Sequence, residues 1–393
     1  MKREKTILAI ILLAVMTGCG VGNKQSTSDF LTIDVTKSYP KKELILQDFM
    51  DVEYIALETT DEFVNQGIVR DIGKEIIVIT NRINDGDIFL FDRNTGQGIR
   101  KFNQKGQGPE DYAFINQIVL DENQNEMFVN SVSAKKILVY DLYGTFKRSF
   151  KFADDASWSD IFNYDKGNLI GYDMLDYYKV GEDRSKAYHV IISKQDGSIT
   201  REISIPFKTI KGPIVRKGDY SASLPFSNHN TITPNNGNWV LVDTSSDTVY
   251  NYVPNDNTLT PFLVRTPSIH SMDLEVFLYM GIPSDRYFFM RILKNEYDFE
   301  RGRGFPNSDL LYDRVEKAIF DPTVYNGDYT VKRPLDMTMR SFNHEIASSQ
   351  ILEANQLVDS HRNGELKDGK LKEIAAKLDA EDNPVIMLVK HKK

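Results

Sequence analysis

The sequence predicts an all-β fold: a six-bladed β-propeller of four-stranded antiparallel blades, with a short C-terminal helix before the closing strand. Two observations predict it. Short segments rich in β-branched and aromatic residues follow one another with turn residues between them, and a strand–turn–strand unit recurs at roughly 50-residue intervals. Four strands at this period make a propeller blade, and a blade buries its faces only against its neighbours.

The predicted strands are about five or six residues long and are bounded by Asn, Asp, Gly or Lys. They lie too close together for helices to alternate with them. The candidate strands are Glu75–Thr80, Asp87–Asp92, Glu126–Asn130, Lys136–Asp141, Asn168–Tyr172, Tyr188–Ser193 and Asn238–Asp243.

The repeat is clearest around three turns that contain Gly96, Gly144 and Gly197. Each turn joins two strands, and the second strand carries a basic residue two positions before an apolar one. At about 50 to 60 residues per blade, the chain from residue 31 has room for six or seven blades, and its irregular insertions favour six. A pair of β-sandwiches or a β-helix is the alternative, but neither is expected to repeat at this spacing.

The N-terminus has the pattern of an export signal. Lys2, Arg3 and Lys5 precede the apolar run Ile7–Met16, which is well short of the roughly 20 residues that span a bilayer. The segment that ends at Cys19 resembles the bacterial lipobox, in which the cysteine receives the lipid.

This resemblance implies a signal peptide at residues 1–18, lipid attachment at Cys19 and a flexible tether at 19–30, followed by the propeller at 31–393. The tether is small and polar, as linkers are. Gly20 follows the cysteine, and the aspartate that retains some lipoproteins at the inner membrane is missing. We therefore expect a cell-envelope lipoprotein, anchored at the outer membrane.

Composition excludes other classes. The 393 residues carry 48 Lys and Arg against 56 Asp and Glu, a formal net charge of −8, which argues against a nucleic-acid partner. A single cysteine permits no disulfide within the chain.

Two further motifs carry a family resemblance. Lys105–Tyr112 (KGQGPEDY) resembles the K-G-x-G-P-x-x-Y/F loop between blades of NHL-like and TolB-like six-bladed propellers. Gly369–Lys390 is similar to the ending of a six-bladed β-propeller lipoprotein family of Bacteroides-like bacteria. The resemblance implies a fold and a location rather than a chemistry.

The C-terminal segment predicts how the ring closes. Apolar residues from Leu371 to Leu378 have helical spacing, and Pro384 then opens a strand at Val385–Val389. We expect this strand to share a blade with Leu31–Val35 or Val52–Leu57, which would leave no open edge. A second helix is predicted within Ser308–Phe320, with Ser308 as its cap.

No cofactor is identified from the sequence. The six histidines are scattered without zinc-ligand spacing, and there is no G-x-S-x-G elbow or Walker loop. The run Asp121–Asn125 approaches a calcium-loop pattern, but Glu126 stands where the turn glycine belongs. A channel-bound calcium therefore has no support in the sequence.

Candidate ligand-binding residues follow from the architecture. Loops at the ends of the innermost strands of a propeller form a funnel in which several blades contribute side chains. Arg70, Asp71 and Tyr112 are placed at such a mouth, and Trp158 and His229 are weaker candidates. Each also has a structural interpretation: a surface ion pair, packing aromatics and a solvated loop imidazole.

Two functions remain open. The first is a lipid-anchored binding or scaffolding module for a protein, peptide or glycan of the envelope. The second is a lyase or hydrolase with a metal or carboxylate site in the channel, which would require acids, bases or metal ligands to converge at its mouth. The missing catalytic spacing favours the first.

Overall fold

A computed structural model of the chain describes residues 30–152, 156–218, 221–225 and 230–392. The signal segment, Cys19 and His229 lie outside these ranges, so their predicted roles stay predictions. Within the described residues no helix is long and apolar enough to cross a bilayer. The six-bladed propeller predicted from the repeat is confirmed, with its blades in chain order around the ring.

Three N-terminal strands precede the first complete blade, and each joins a different blade. They are β1 (Leu31–Asp34), β2 (Lys41–Ile45) and β3 (Met50–Ala56).

Blades 1 to 3 are regular four-stranded antiparallel sheets whose strands follow in chain order. Blade 1 consists of β4 (Ile68–Ile72), β5 (Ile76–Thr80), β6 (Asp87–Asp92) and β7 (Gly98–Asn103). Blade 2 consists of β8 (Gln117–Asp121), β9 (Glu126–Ser131), β10 (Lys136–Tyr140) and β11 (Phe146–Lys151). Blade 3 consists of β12 (Trp158–Asn163), β13 (Asn168–Asp173), β14 (His189–Ser193) and β15 (Ile199–Ile203).

The repeated glycines turn the outer hairpin of each of these blades. Gly96, Gly144 and Gly197 all have positive φ, between 75° and 85°. Such backbone suits glycine, and the space is also closed, because a Cβ on Gly144 would lie 2.7 Å from the Phe102 ring of the preceding blade. The repeat therefore combines a tight turn with a contact between blades.

Blades 4 and 5 are larger. The hairpin β16 (Val215–Lys217) and β17 (Ser221–Ser223) precedes them. Blade 4 consists of β18 (Ile232–Asn235), β19 (Asn238–Leu241), β20 (Thr248–Val253) and β21 (Thr258–Thr266). Blade 5 and its insertions consist of β22 (Val276–Pro283), β23 (Tyr287–Lys294), β24 (Tyr297–Asp298), β25 (Arg303–Gly304), β26 (Asn307–Asp313), β27 (Ala318–Tyr325) and β28 (Pro334–Leu335). The N-terminal β1 and β2 pair in parallel with β21 and β27 and cover these outer edges.

Blade 6 closes the ring from both ends of the propeller. It consists of β29 (Ile346–Leu352), β30 (Val385–His391) and the N-terminal β3, and α1 (Ala354–Arg362) and α2 (Lys370–Ala375) lie between its first two strands. The closing strand thus pairs with Met50–Ala56, the second of the two predicted partners. The short helix before it is confirmed.

The second predicted helix, Ser308–Phe320, is wrong. This segment contains all of β26 except its first residue, then a turn and the start of β27, and the two strands pair with each other through Leu311 and Phe320. Its apolar residues fit a helical period, but pairing with neighbouring strands determines the conformation instead.

Alternating side chains of the middle strands build the core between blades. In β6, Phe89 and Phe91 pack towards blade 6, whereas Ile88 and Leu90 pack towards blade 2. All four are fully buried. Successive strand residues point to opposite faces, and each such burial contributes about 1.5–3 kcal/mol.

Candidate functional site

Among the described residues, two cavities lie in the channel at the centre of the ring. A wide cavity of about 980 Å³ lies where the innermost strands of blades 1 to 3 begin, and a narrow cavity of about 310 Å³ lies where they end. The wide cavity is lined by blades 1, 2, 3 and 6 and by the segments before blade 4 and after blade 5; examples are Arg70, Gln117, Asp160, Thr231, Met339 and Gln350.

Bulges in the innermost strands direct polar side chains into the channel. The register of β4 shifts between Val69 and Asp71, and that of β12 shifts between Ser159 and Phe162, with Asp160 at φ 49°. A bulge inserts an extra residue and changes where the neighbouring side chains point. As a result Arg70 lines the wide cavity, whereas the next residue, Asp71, lines the narrow one.

Arg70 contributes a positively charged side chain to the lining of the wide cavity. Its Nε donates to Thr80 Oγ1 at 2.7 Å, and its Nη1 makes a long contact of 3.5 Å with the Asn116 carbonyl. Within the described part of the chain it forms no ion pair, and burial lowers the pKa of its guanidinium. The guanidinium is therefore oriented by Thr80 without being neutralised.

Asp160 and Arg340 form a fixed cross-link beside it. Arg340 Nε donates to Asp160 Oδ1 at 2.9 Å, while the other carboxylate oxygen accepts from the Thr231 backbone N–H, the Thr231 hydroxyl and the Ile232 N–H. The Arg340 guanidinium also lies 3.8 Å above the Phe162 ring. These groups hold blades 3 and 4 and the segment before blade 6 together, and both charges are satisfied.

Two amide side chains at the wide cavity are only half satisfied. Asn130 donates from Nδ2 to the Trp158 carbonyl, and Asn230 donates from Nδ2 to the carbonyls of Met280 and Thr338. Both residues are at most 3% exposed, yet the Oδ1 atom of each has no hydrogen-bond partner among the described residues. Most buried polar atoms are paired, so two unmatched acceptors at one cavity are unusual.

Apolar and aromatic side chains form part of the wall of the wide cavity. Tyr172 is buried in the wall, whereas Tyr178, from the insertion between β13 and β14, is 53% exposed. Leu224 and Pro225 come from the loop before blade 4, and Met339 is exposed as well. Apolar walls with a few placed polar groups are typical of ligand sites.

The narrow cavity differs, because two of its carboxylates are bound by backbone N–H groups of the protein. Asp71 accepts from the N–H groups of Leu120 and Ile72, and the Glu122 carboxylate accepts from those of Lys74, Glu75 and Ile76. Burial is the main cause that raises the pKa of Asp71 to about 7, against these backbone hydrogen bonds.

A buried ion pair lies beside the narrow cavity. Lys194 Nζ donates to Asp121 Oδ2 at 2.6 Å, to Asn163 Oδ1 at 2.7 Å and to the Asp165 carbonyl at 2.6 Å. Both charged side chains are 4% exposed. The three contacts use all three ammonium hydrogens and join blade 3 to blade 2.

The predicted site residues do not meet in one place. Arg70 and Asp71 reach the channel as expected, but in different cavities. The expected position of Tyr112 at the mouth is corrected: its ring is fully buried against Tyr140, and its hydroxyl donates to the Gly86 carbonyl. This packing holds the Gly-Pro loop between blades 1 and 2.

The position of Trp158 is corrected in the same way. Its indole is fully buried and lies 4.8 Å from the Phe152 ring, so it packs in the core while its neighbours Ser159 and Asp160 face the cavity. His229 lies outside the described residues.

Sequence reasoning missed Asp160, Arg340, Asn130 and Asn230. For Asn130 a signal existed, because an asparagine interrupts the buried strand Glu126–Ser131. Asp160 and Arg340 are 180 positions apart and offered none. Over the residues that the structure describes, no group of three or more His, Cys, Asp or Glu side chains could hold a metal ion.

The chain is a six-bladed propeller whose wide cavity is lined by some polar groups without hydrogen-bond partners among the described residues. The model of the DUF5128 family, described as a 6-bladed beta-propeller, matches residues 22–347, and the chain belongs to this family. Comparison with the curated proteins gave no significant match.

Three of the solved structures of similar shape come from bacterial proteins. A presumed exported protein from Bacteroides fragilis is 16% identical with a TM-score of 0.55, over 90% of this chain and 99% of that one. A DUF4221-family member from Bacteroides vulgatus is 9% identical with a TM-score of 0.40, over 72% and 92%. Virginiamycin B lyase from Staphylococcus aureus is 10% identical with a TM-score of 0.37, over 87% and 100%. The first likeness supports the fold, and the other two are too distant to support any inference.

Proposed function

We propose that the protein is a binding module of the cell envelope that holds its ligand in the wide cavity. The observation that supports this proposal is a contrast in polar pairing. At the wide cavity Arg70 has no counter-charge and two buried amide oxygens have no hydrogen-bond partner among the described residues, whereas the Asp71 and Glu122 carboxylates at the narrow cavity are bound by backbone N–H groups. A volume of about 980 Å³ lies at the upper end of the range for ligand sites.

We further propose that the protein is anchored to the outer membrane by a lipid on Cys19. The lipobox-like segment and the likeness to a presumed exported protein support this proposal. Its test is labelling of growing cells with a clickable palmitate analogue. The wild-type chain is expected to take up label and Cys19→Ala to lose it; equal labelling would contradict the anchor.

A cavity-blocking variant tests the binding proposal. Ser349 lines the wide cavity, so Ser349→Trp places an indole in it. The matched control is Ser149→Trp on the exposed outer strand of blade 2. The full chain in detergent micelles is applied to arrays of defined saccharides and defined peptides.

We expect at least one class of probe to bind the wild-type and Ser149→Trp chains and not Ser349→Trp. Binding that persists in Ser349→Trp, or a wild-type chain that binds nothing on either array, would overturn the proposal.

The lyase or hydrolase alternative is less well supported, because the carboxylates at the wide cavity are already engaged. Asp160 is bound by Arg340 and by three donors of residues 231 and 232. Asp336 is contacted by Arg291 and accepts from the Thr338 backbone N–H. A carboxylate held in this way is a weak candidate for general acid or base chemistry.

A further inference from the structure

We propose that the ligand of the wide cavity is a short acidic saccharide whose carboxylate pairs with Arg70. This inference rests on the proposed function and specifies its ligand class. Three features of the cavity support it. Arg70 is oriented by Thr80 but keeps unused N–H donors, two asparagine oxygens in the same cavity have no hydrogen-bond donor among the described residues, and Tyr178 contributes a partly exposed aromatic side chain.

The charge of the ligand follows from Arg70. Thr80 holds Nε, and the contact of Nη1 with Asn116 is long, so the outer end of the guanidinium has donors to spare. The other arginine in this wall, Arg340, is already paired with Asp160. A carboxylate fits the two parallel N–H bonds that the end of a guanidinium offers.

The hydroxyl groups of the ligand follow from the amides. The Oδ1 atoms of Asn130 and Asn230 accept no hydrogen bond from the described residues, while their Nδ2 atoms are bound to backbone carbonyls. Such buried acceptors are satisfied by water or by a ligand group that reaches them, and sugar hydroxyls are donors that can also accept from neighbouring groups. Tyr178, which is 53% exposed, adds an aromatic side chain to the lining of the cavity.

A peptide is the less favoured ligand for a reason of backbone geometry. An extended peptide usually binds by adding a strand to an open sheet edge. Two of the innermost strands that line this cavity, β4 and β12, carry bulges that interrupt a regular ladder of backbone hydrogen bonds.

The test is isothermal titration of the full chain with a galacturonate trimer and a glucuronate-containing trimer. Their carboxyl-reduced, neutral counterparts and a tetrapeptide with a free C-terminal carboxylate serve as comparison probes. The variants are Arg70→Gln, Arg70→Lys and, as control, Arg301→Gln in the exposed turn between β24 and β25. Thermal melts verify that each variant is folded.

We expect an acidic trimer to bind, its neutral counterpart to bind about tenfold more weakly, and Arg70→Gln to remove this difference. Arg70→Lys retains part of it, and Arg301→Gln behaves as wild type. Equal binding of acidic and neutral trimers, or an unchanged affinity in Arg70→Gln, would overturn the acidic ligand.

Binding of the peptide alone, dependent on Arg70, would overturn the saccharide but leave a carboxylate ligand in the wide cavity. If neither trimer binds but array probes still depend on Ser349, this inference fails and the proposed function stands. If no probe depends on Ser349, the proposed function fails as well.

Discussion

Arg70 and Asp71 are consecutive residues, yet they belong to opposite ends of the channel and to opposite kinds of site. Arg70 faces the wide cavity with its charge unpaired in the described chain, while Asp71 accepts two backbone N–H groups at the narrow one. Polar residues in this propeller channel therefore serve two purposes. Those that bind the backbone of the neighbouring blade hold the ring together, and those left without partners are available to a ligand.

The largest expected effect is at the narrow end, in the buried ion pair. Lys194→Met leaves the Asp121 carboxylate without its cation, so we expect a loss of about 3–5 kcal/mol in the free energy of unfolding, measured by urea denaturation. Adding Asp121→Asn to this variant should recover much of the loss. A loss under about 1 kcal/mol would contradict a structural role for the narrow end.

Glu122 gives the next effect. Its carboxylate accepts three backbone N–H groups of the β4–β5 turn, and Glu122→Ala leaves them without that acceptor. We expect a loss of about 2–3 kcal/mol in unfolding free energy, because part of this backbone can be hydrated instead. The exposed Glu110→Ala is the control, with an expected change within about 0.5 kcal/mol.

Asp71 makes the stability of the narrow end depend on pH. Its pKa is about 7 in the folded chain, above the ordinary value of 3.8, so protonation favours the folded state. This contribution is complete below about pH 4 and is lost as the pH rises through 7.

The unfolding free energy of wild type minus that of Asp71→Asn is therefore expected to rise by roughly 1–3 kcal/mol from pH 8 to pH 5. Subtracting the variant removes the other titrating groups, which include the buried His189, whose lowered pKa of about 4 acts in the opposite direction. A flat or falling difference would show that burial does not control this carboxyl.

The smallest effect on stability is expected at the wide end. Arg70→Gln removes a charge that has no counter-charge in the described chain, and glutamine can still donate to Thr80, so we expect a change below about 1 kcal/mol. Urea denaturation beside Lys194→Met measures the contrast. An equal loss in both variants would remove the distinction between the two ends.

Much of the fold could be predicted because its signals are local. The strand Asp87–Asp92 has its predicted bounds, and the turns at Gly96, Gly144 and Gly197 adopt the backbone that glycine allows. The parallel strands β1 and β2 were not predicted to join blades 4 and 5, since they pair with residues more than 200 positions away. The blade that each of these strands joins is determined by contacts across the ring and not by the local sequence pattern.

The site was less predictable for the same reason. Arg70 could be placed near a strand end, but the bulge that separates it from Asp71 has no sequence signature. Trp158 and Tyr112 were candidates because aromatic side chains occur both in hydrophobic cores and in ligand sites. Only the packing in the folded protein shows which role a given aromatic residue has. The contact of Asp160 with Arg340 required the closed ring.

A crystal structure of the protein soaked with the galacturonate trimer would show directly which of the two cavities binds the sugar. We expect a sugar in the wide cavity, with a carboxylate within hydrogen-bond distance of the Arg70 guanidinium and hydroxyls near Asn130 or Asn230, and no sugar in the narrow cavity. A trimer bound in the narrow cavity, or on the outer face of the blades with the wide cavity empty, would contradict it.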